Sequence, residues 1–438
     1  MRTIASLRVA KFVKYLPEFG WDPHVFTVAP LTTRYTAAGE LPDEAPPGHV
    51  HRVPDPSLHA LVDRVSRRRG PAPRAAAPGG SASAGRLKAA AYRVYREVAC
   101  TPDETWPWLR HYRAIRAMAE RAHVDLVFST SPPATSHLLA RRLARDLGRP
   151  WVADLRDPWA DMHTLDRSAA RGWVDRVLER RTLRAAAALT TVSTPMAERF
   201  AADYAAPVHV IMNGYDETDV PADVQVEPER DRFALVYTGM LYEGRRTPQL
   251  VFEALRHLQT RGQVDLSRVV VKLFGRNLDI AERELRAFPE LASSVYLGGE
   301  IGYRDALIEQ RRATVLLQLE WPDPRARGVL TGKLFEYLFA ARPIVAIGPH
   351  GGEMERILTA TGRGTLSGTV EELAEAIRIR YERFCAGGPE QIDTAAAPLT
   401  QFSRKAMTAK LADVFRSACE GAPAAQRAEG VQLAGVRP

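Results

Sequence analysis

Cysteine is scarce. The 438 residues hold three, Cys100, Cys385 and Cys419, far apart and without a C-x-x-C pair. That spacing argues against a disulfide framework or a cysteine-ligated zinc site, and isolated thiols in a reducing compartment are expected. No run of about 18 apolar residues occurs, so no segment reads as a membrane-spanning helix. The first residues, from Met1 to Ser6, lack an apolar stretch of signal-peptide length, and a cytoplasmic protein is expected. No G-x-G-x-x-G follows a strand-like segment, which argues against a nicotinamide dehydrogenase. No Ser-His-Asp order is visible, and the 11 histidines look scattered, without metal-ligand spacing. Helix-turn-helix, zinc-finger and RNP-type aromatic signatures are missing too, so nucleic acid is not an expected partner.

What is present is globular. Hydrophobic residues make up 45% and charged residues 26% of the chain, and its length suits two or three domains. The net charge of +8 suits a phosphorylated substrate or an anionic membrane surface, although Arg and Ala are used heavily throughout.

Short apolar runs alternate with helical stretches. In the first half strands are expected at Val25–Val28, residues 124–129, Trp151–Leu155, residues 189–192 and residues 208–212. A helix over residues 134–147 stops at Gly148, and another starts with Thr194 as cap and Pro195 as first residue. After a polar stretch the alternation restarts. Strands are expected at Phe233–Thr238, Val269–Phe274, Val315–Leu319 and Ile344–Ile347. Helices are expected over residues 248–258, Tyr303–Arg312 and residues 332–341, 370–384 and 404–418. This order predicts βαβ units, hence an α/β protein with two doubly wound parallel sheets. The division reads as 1–216 for the first domain, 217–232 for a linker and 233–400 for the second domain. Residues 401–419 form a helix placed to pack back on the first domain. Residues 70–85 and 420–438 are Pro/Gly/Ala-rich and read as disordered. Such a half ordinarily opens on a strand and a turn. Residues 1–9 hold neither, and a helix over residues 6–19 comes at once, so the chain reads as starting about 20 residues late.

Several residues sit where strands give way to helices. Thr331-Gly332-Lys333 opens a helix with a potential cap, a small residue and a charge, and Glu336 shares the helix face of Lys333. The competing reading of that pair is a surface ion pair. Arg245 and Arg246 follow the Gly239 turn, where a solvated basic loop is the alternative. Gly275-Arg276 and the glycines from Gly348 to Gly352 are weaker candidates for anion contacts. Asp154, Arg156, Asp157 and Trp159 end a strand of the first half, where a buried Arg–Asp pair pinning the loop is the alternative. The turn at residues 129–133 faces the same edge. Arg64, Arg67, Arg68 and Arg69, with a helix at residues 86–96, make a basic amphipathic region suited to anionic lipid or merely to solvent.

Six segments resemble the family-4 glycosyltransferases of GT-B fold, particularly bacterial polysaccharide-type members. They are residues 7–21 (LRVAKFVKYLPEFGW), 125–133 (DLVFSTSPP), 150–159 (PWVADLRDPW), 208–216 (VHVIMNGYD), 236–246 (VYTGMLYEGRR) and 328–343 (GVLTGKLFEYLFAARP). The resemblance implies two Rossmann-like domains facing a cleft, with a nucleotide-sugar donor in the C-terminal half and the acceptor mostly in the N-terminal one. It implies sugar transfer to a hydroxyl on a glycan, a lipid carrier or a small molecule, with retained configuration and no cofactor beyond the donor. A departing diphosphate needs positive charge and N–H donors. No two aspartates stand two apart, so a metal-free site of helix N-terminus and basic side chains is expected. By the resemblance, Gly239, Arg245, Arg246, Thr331, Gly332, Lys333 and Glu336 bind the donor. Glu336 matches the second Glu of an E-x7-E motif, which holds the ribose. Arg156 and Asp157 handle the acceptor hydroxyl. Two departures stand out: Gly328 occupies the place of the first Glu, and Met240 that of a basic residue. They leave open an inactive nucleotide-binding or partner protein, and a sugar-nucleotide epimerase shares the fold.

Overall fold

The computed structural model describes residues 4–28, 48–54, 101–160, 168–220, 224, 226–390, 392 and 399–421. The expected loop at 70–85, the basic region at 64–69 and 86–96, and the tail from residue 422 lie outside the described residues. Among the described residues, no helix is long and apolar enough to cross a membrane.

The chain opens on helix α1 (Ile4–Tyr15) and a 3-10 turn (Leu16–Phe19). Strands β1 (Val25–Val28) and β2 (Val50–Val53) then pair in parallel, Val25 opposite Val50, as a separate two-stranded sheet. Helix α2 (Tyr112–Arg121) leads into β3 (Val127–Ser131), α3 (Thr135–Leu147), β4 (Trp151–Leu155), α4 (Ala169–Leu183), β5 (Ala188–Thr191), α5 (Thr194–Asp203) and β6 (Val208–Val210). The four strands form a parallel sheet in the order β3-β4-β5-β6. All five residues of β4 are buried, as in a central strand between helical layers, and one of them, Asp154, is charged. β3 starts later than its apolar run suggests, because Val124 still bonds back to Ala119 and closes the end of α2.

Helix α4 escapes the sequence reading for a physical reason. Its buried positions include Arg171, Asp175 and Glu179, so no apolar stripe marks the face that packs. Arg171 pairs with Asp175 at 2.9 Å, and Glu179 accepts from the Ala160 N–H and the Tyr204 hydroxyl.

The second half runs β7 (Phe233–Thr238), α6 (Gln249–Thr260), β8 (Val269–Phe274), α7 (Asp279–Leu285), β9 (Val295–Gly299), α8 (Tyr303–Arg312), β10 (Val315–Leu319), α9 (Gly332–Ala340), β11 (Ile344–Ile347), α10 (Glu353–Thr361), β12 (Gly364–Ser367) and α11 (Val370–Gly387). Its six parallel strands follow the order β12-β11-β10-β7-β8-β9. Strand order reverses between β7 and β10, and in such sheets ligands bind beyond the carboxyl ends of the strands at that point.

Helix α12 (Arg404–Glu420) returns to the first half. Met407, Leu411 and Phe415 pack with Phe12 of α1, with Leu16 of the 3-10 turn and with Val152, Ala188 and Ile211. Trp21 meets Phe415 edge-on at 5.3 Å.

The two halves also touch directly. The sequence suggests Thr194 as the cap of α5; instead Ser193 precedes the helix, and its hydroxyl bonds the Gly328 carbonyl of the second half at 2.8 Å. The Thr194 N–H goes to the carboxylate of Glu353 at 3.0 Å, so an acidic residue of one half caps a helix of the other. The stretch read as a linker is anchored at its start. Lys11 pairs with Asp216 at 2.8 Å and Asp219 at 2.5 Å, and Asp219 also accepts from the Tyr303 hydroxyl at 3.0 Å. Burial pushes the Asp216 carboxyl up, but hydrogen bonds from Lys11 and Lys14 outweigh it and hold the pKa well below the ordinary value.

The histidines are less scattered than the sequence suggests. Pairing of β1 with β2 stacks His24 on His49 and on His51, with ring centroids 4.5 and 5.4 Å apart.

Candidate donor site at the strand-order reversal

The residues following β7 and β10, and the helix that β10 leads to, meet at the reversal point. Gly239 follows β7 with φ +153, and a Cβ there would run into the Lys333 ammonium and the Tyr237 ring hydroxyl. The glycine therefore makes room for Lys333. Lys333 donates to the Tyr237 hydroxyl at 3.0 Å and lies over that ring, 4.4 Å from its centroid. Burial, with the nearby Arg246 charge, lowers its pKa from 10.5 to about 7, against the pull of Glu320 and Glu336. A buried cation short of counter-charge is a receptive partner for an incoming anion.

Arg246 is already engaged. Its guanidinium pairs with Glu320, immediately after β10, through Nε at 3.2 Å and a second contact through Nη2. Burial lowers the Arg246 pKa, but the Glu320 carboxylate more than offsets this and raises it. Glu320 also accepts from Gln318 at 2.9 Å, and Gln318 donates to the Thr331 hydroxyl at 3.0 Å. Thr331 precedes α9 as expected, but its hydroxyl makes no cap bond. It is held by Gln318, which leaves the first turn of α9 uncapped by Thr331. A Cβ added to Gly332 would meet no atom within 4 Å, so space lies open before this helix end. Arg245 diverges from Arg246 and stacks over Trp321 at 5.2 Å, with Arg325 on that ring at 4.5 Å.

Lys333 and Glu336 do not form the surface ion pair that their spacing allows. Both are partly buried, Lys333 facing Tyr237 and Glu336 accepting from Gln310 at 3.4 Å. Burial raises the Glu336 pKa, partly offset by Gln310, Arg404 and Lys333. Arg404 is buried beside Tyr303, Arg8, Glu336 and Asp219, and its Nη1 has no hydrogen-bond partner among the described residues.

In the first half, Arg156 feels the Asp157 carboxylate but the two are not a buried pair, since Asp157 is exposed. Arg156 pins the turn after β3, donating to the Ser131 carbonyl at 3.1 Å and the Pro132 carbonyl at 2.8 Å. The buried pair is Asp154 with Arg8. Arg8 reaches the carboxylate at 3.0 and 3.2 Å and also bonds the carbonyls of Ile211 and Met212. Thr130 and Thr190 complete the shell around Asp154, each at 2.8 Å. Burial alone would raise the Asp154 pKa; Arg8 and the two hydroxyls lower it.

Four of the predicted residues, Arg156, Arg246, Lys333 and Glu336, thus fall into one chain of interacting charges. Arg156 feels Asp154 and Arg8, Arg8 acts on Arg404, Arg404 on Glu336, and Glu336 and Arg246 on Lys333. Two weaker candidates do not join it. A Cβ on Gly275, at φ +130, would collide with the Gly239 carbonyl, so this glycine lets two loops cross, and Arg276 pairs with Glu300 at 2.6 Å. In the loop before α10, the Gly351 N–H is taken by Glu355 at 2.6 Å, which puts a carboxylate where an anion would sit.

Sequence reasoning missed Arg8, Gln310, Glu320 and Arg404. Glu320 carries a usable signal, a carboxylate directly after a fully buried strand. Arg404 carries none, because it comes to Glu336 only through the return of α12.

With this geometry, likeness to known proteins becomes informative. Residues 5–214 match the model of the glycosyl transferase 4-like domain. Nothing among curated proteins matches the sequence. Solved structures share the whole two-domain fold. Sucrose-phosphate synthase from Thermosynechococcus elongatus superposes with a TM-score of 0.58 at 16% identity, over 94% of this chain and 93% of that one. HepE of Anabaena, in complex with UDP and glucose, gives 0.51 at 14% identity, over 70% and 81%. A Listeria monocytogenes protein described as a UDP-N-acetylglucosamine 2-epimerase gives 0.52 at 12% identity, over 96% and 95%. The chain carries the GT-B fold of family-4-like glycosyltransferases.

Proposed function

We propose that this GT-B protein transfers a sugar from a nucleotide-sugar donor to a hydroxyl acceptor, retaining anomeric configuration and without a metal at the donor diphosphate. The observation that carries the reading is Lys333. It is a partly buried lysine at the reversal point of the C-terminal sheet, beside open space at the start of α9, with its pKa lowered to about 7. A diphosphate there supplies the missing counter-charge and restores the proton to Lys333. As the sugar–phosphate bond breaks, negative charge grows on the leaving phosphate and a fixed cation stabilises it more than it does the ground state. The first turn of α9 adds N–H donors at Gly332 and Lys333.

Glu336, held by Gln310, is assigned to the ribose hydroxyls, and Gly239 to close approach of the phosphates. Arg246 enters by sharing its charge between Glu320 and the donor, whereas Arg245 and Trp321 line the adjoining loop. Arg156 and Asp157 are assigned to the acceptor side, where the exposed carboxylate of Asp157 is placed to orient the attacking hydroxyl. The HepE complex with UDP and glucose supports a UDP-sugar as the first donor to test. A peripheral membrane contact through the basic region at 64–69 and 86–96 suits a lipid-linked acceptor.

Thermal shift against UDP, GDP, ADP, dTDP and their sugars tests the reading. One nucleotide should raise the melting temperature of the wild type and lose that effect in Glu336→Ala. The absence of any shift overturns the donor-site reading. The likeness to the Listeria protein favours epimerisation as a second reading, and incubation with UDP-sugar alone decides it: a new epimer without acceptor would establish that reaction.

A further inference from the structure

A group of side chains outside the donor half converges at one edge of the N-terminal half. Parallel pairing sets Val25 opposite Val50, and alternation along each strand then places His24, Phe26, His49 and His51 on the same face. Asp22, just before β1, completes the group. One atom from each of Asp22, His24 and His49 lies within 4.8 Å of the others.

The protons decide what this group can hold. His24 Nδ1 stands 3.1 Å from His51 Nε2, and one of the two must donate. When His24 donates from Nδ1, its Nε2 keeps a lone pair, which faces Asp22 Oδ2 at 3.6 Å. His49 Nδ1 is buried, lies 3.1 Å from Asp22 Oδ1, and makes no hydrogen bond. With the proton of His49 on Nε2, two imidazole lone pairs and a carboxylate face one another. Three converging acceptors call for a cation.

We infer that Asp22, His24 and His49 form a site for a divalent transition ion of the zinc type, with His51 orienting His24. Nitrogen and carboxylate ligands in this number suit zinc with a fourth position left to water. Metal–nitrogen bonds of about 2.0–2.1 Å require the three ligands to draw in slightly from their present spacing. The hydrogen bond from His24 to His51 is the kind of outer contact that fixes a metal-binding tautomer. The site has a structural use as well. A two-stranded sheet is marginal in water, and an ion joining Asp22 and His24 to His49 staples β1 to β2.

The test uses the full chain stripped with EDTA. Diethyl pyrocarbonate modifies accessible neutral imidazoles, and peptide mass mapping reads each histidine separately. One equivalent of Zn²⁺ should lower modification of His24 and His49 by about tenfold, leaving exposed His123 unchanged. Co²⁺ should give the visible absorption of a low-symmetry site, saturating at one equivalent. The double variant His24→Ala/His49→Ala should lose that absorption. Equal modification with and without Zn²⁺, or unchanged Co²⁺ absorption in the double variant, overturns the site. The footprint needs no variant, so it decides the question even if the substitutions impair folding.

Discussion

The hydroxyl of Ser193 donates to the carbonyl of Gly328 at 2.8 Å, tying the entry of α5 in the first half to the loop that leads into α9 in the second. The position where the family motif places its first Glu is therefore part of the contact between halves. A Cβ at Gly328 would stand 3.6 Å from Pro195, 3.8 Å from Met196 and 3.8 Å from Ser193 Oγ. These are ordinary contacts, but a longer side chain has to displace α5.

Gly328→Ala should change stability by no more than about 0.5 kcal/mol, as expected for a substitution without a clash. Gly328→Glu should cost about 1–3 kcal/mol by overpacking against Pro195 and Met196. Chemical denaturation of both variants measures the difference. Equal stability would mean that the loop moves freely away from α5.

Arg8 and Asp154 form a buried pair with side-chain exposures of 2% and 1%. Removing either partner strands the other charge. Asp154→Ala and Arg8→Ala should each destabilise the protein by about 3–5 kcal/mol, read as a loss of melting temperature. Conversion of both to apolar residues should cost less than either single change. A double variant as unstable as the sum of the singles would refute the pairing argument.

The lowered pKa of Lys333 has two opposite consequences for pH. In the unfolded chain the amine titrates near 10.5 and in the folded protein near 7. Between these values the unfolded state holds the extra proton, so this group makes the free protein more stable as pH rises from 7 to 10.5. Nucleotide binding should run the other way, weakening above pH 7 by up to about tenfold per pH unit as the cation is lost. Lys333→Met should bind weakly and flatten both profiles. Titration calorimetry with UDP from pH 6 to 9 checks this, and a pH-independent affinity in the wild type would contradict it.

Glu353 caps α5 from the opposite half by accepting from the Thr194 N–H at 3.0 Å. Glu353→Ala should cost about 1 kcal/mol, the usual worth of a cap. Because the cap spans the halves, amide exchange at the start of α5 should rise more than in the core strands β4 and β7. Uniform protection in the variant would show that the two halves hold together without it.

Most of the fold was legible because buried parallel strands are written as apolar runs. Val25–Val28, Trp151–Leu155, Phe233–Thr238, Val269–Phe274, Val315–Leu319 and Ile344–Ile347 fall where those runs predict. Helix α4 was not legible, since its packed face is Arg171, Asp175 and Glu179. In the candidate site, the approach of Lys333 to Gly239 follows from their positions after β7 and at the start of α9. The site was not legible where contacts join distant parts of the chain. Thr331 looked like a cap, yet Gln318 holds it. The buried charge pair of the first half joins Asp154 to Arg8, 146 positions away. The histidines looked unrelated because β1 and β2 must pair before His24 meets His49.

The return of α12 also sets an order of events during synthesis. A ribosome delivers the first half long before the residues from Met407 to Phe415 that cover Phe12, Leu16 and Val152. Until those residues emerge, the early-made half carries an uncovered greasy face, and the nascent chain has to be kept from sticking to its neighbours. Removing the last helix would therefore injure the half encoded first, and a clone ending near residue 400 should be collected as aggregate rather than as a smaller working enzyme.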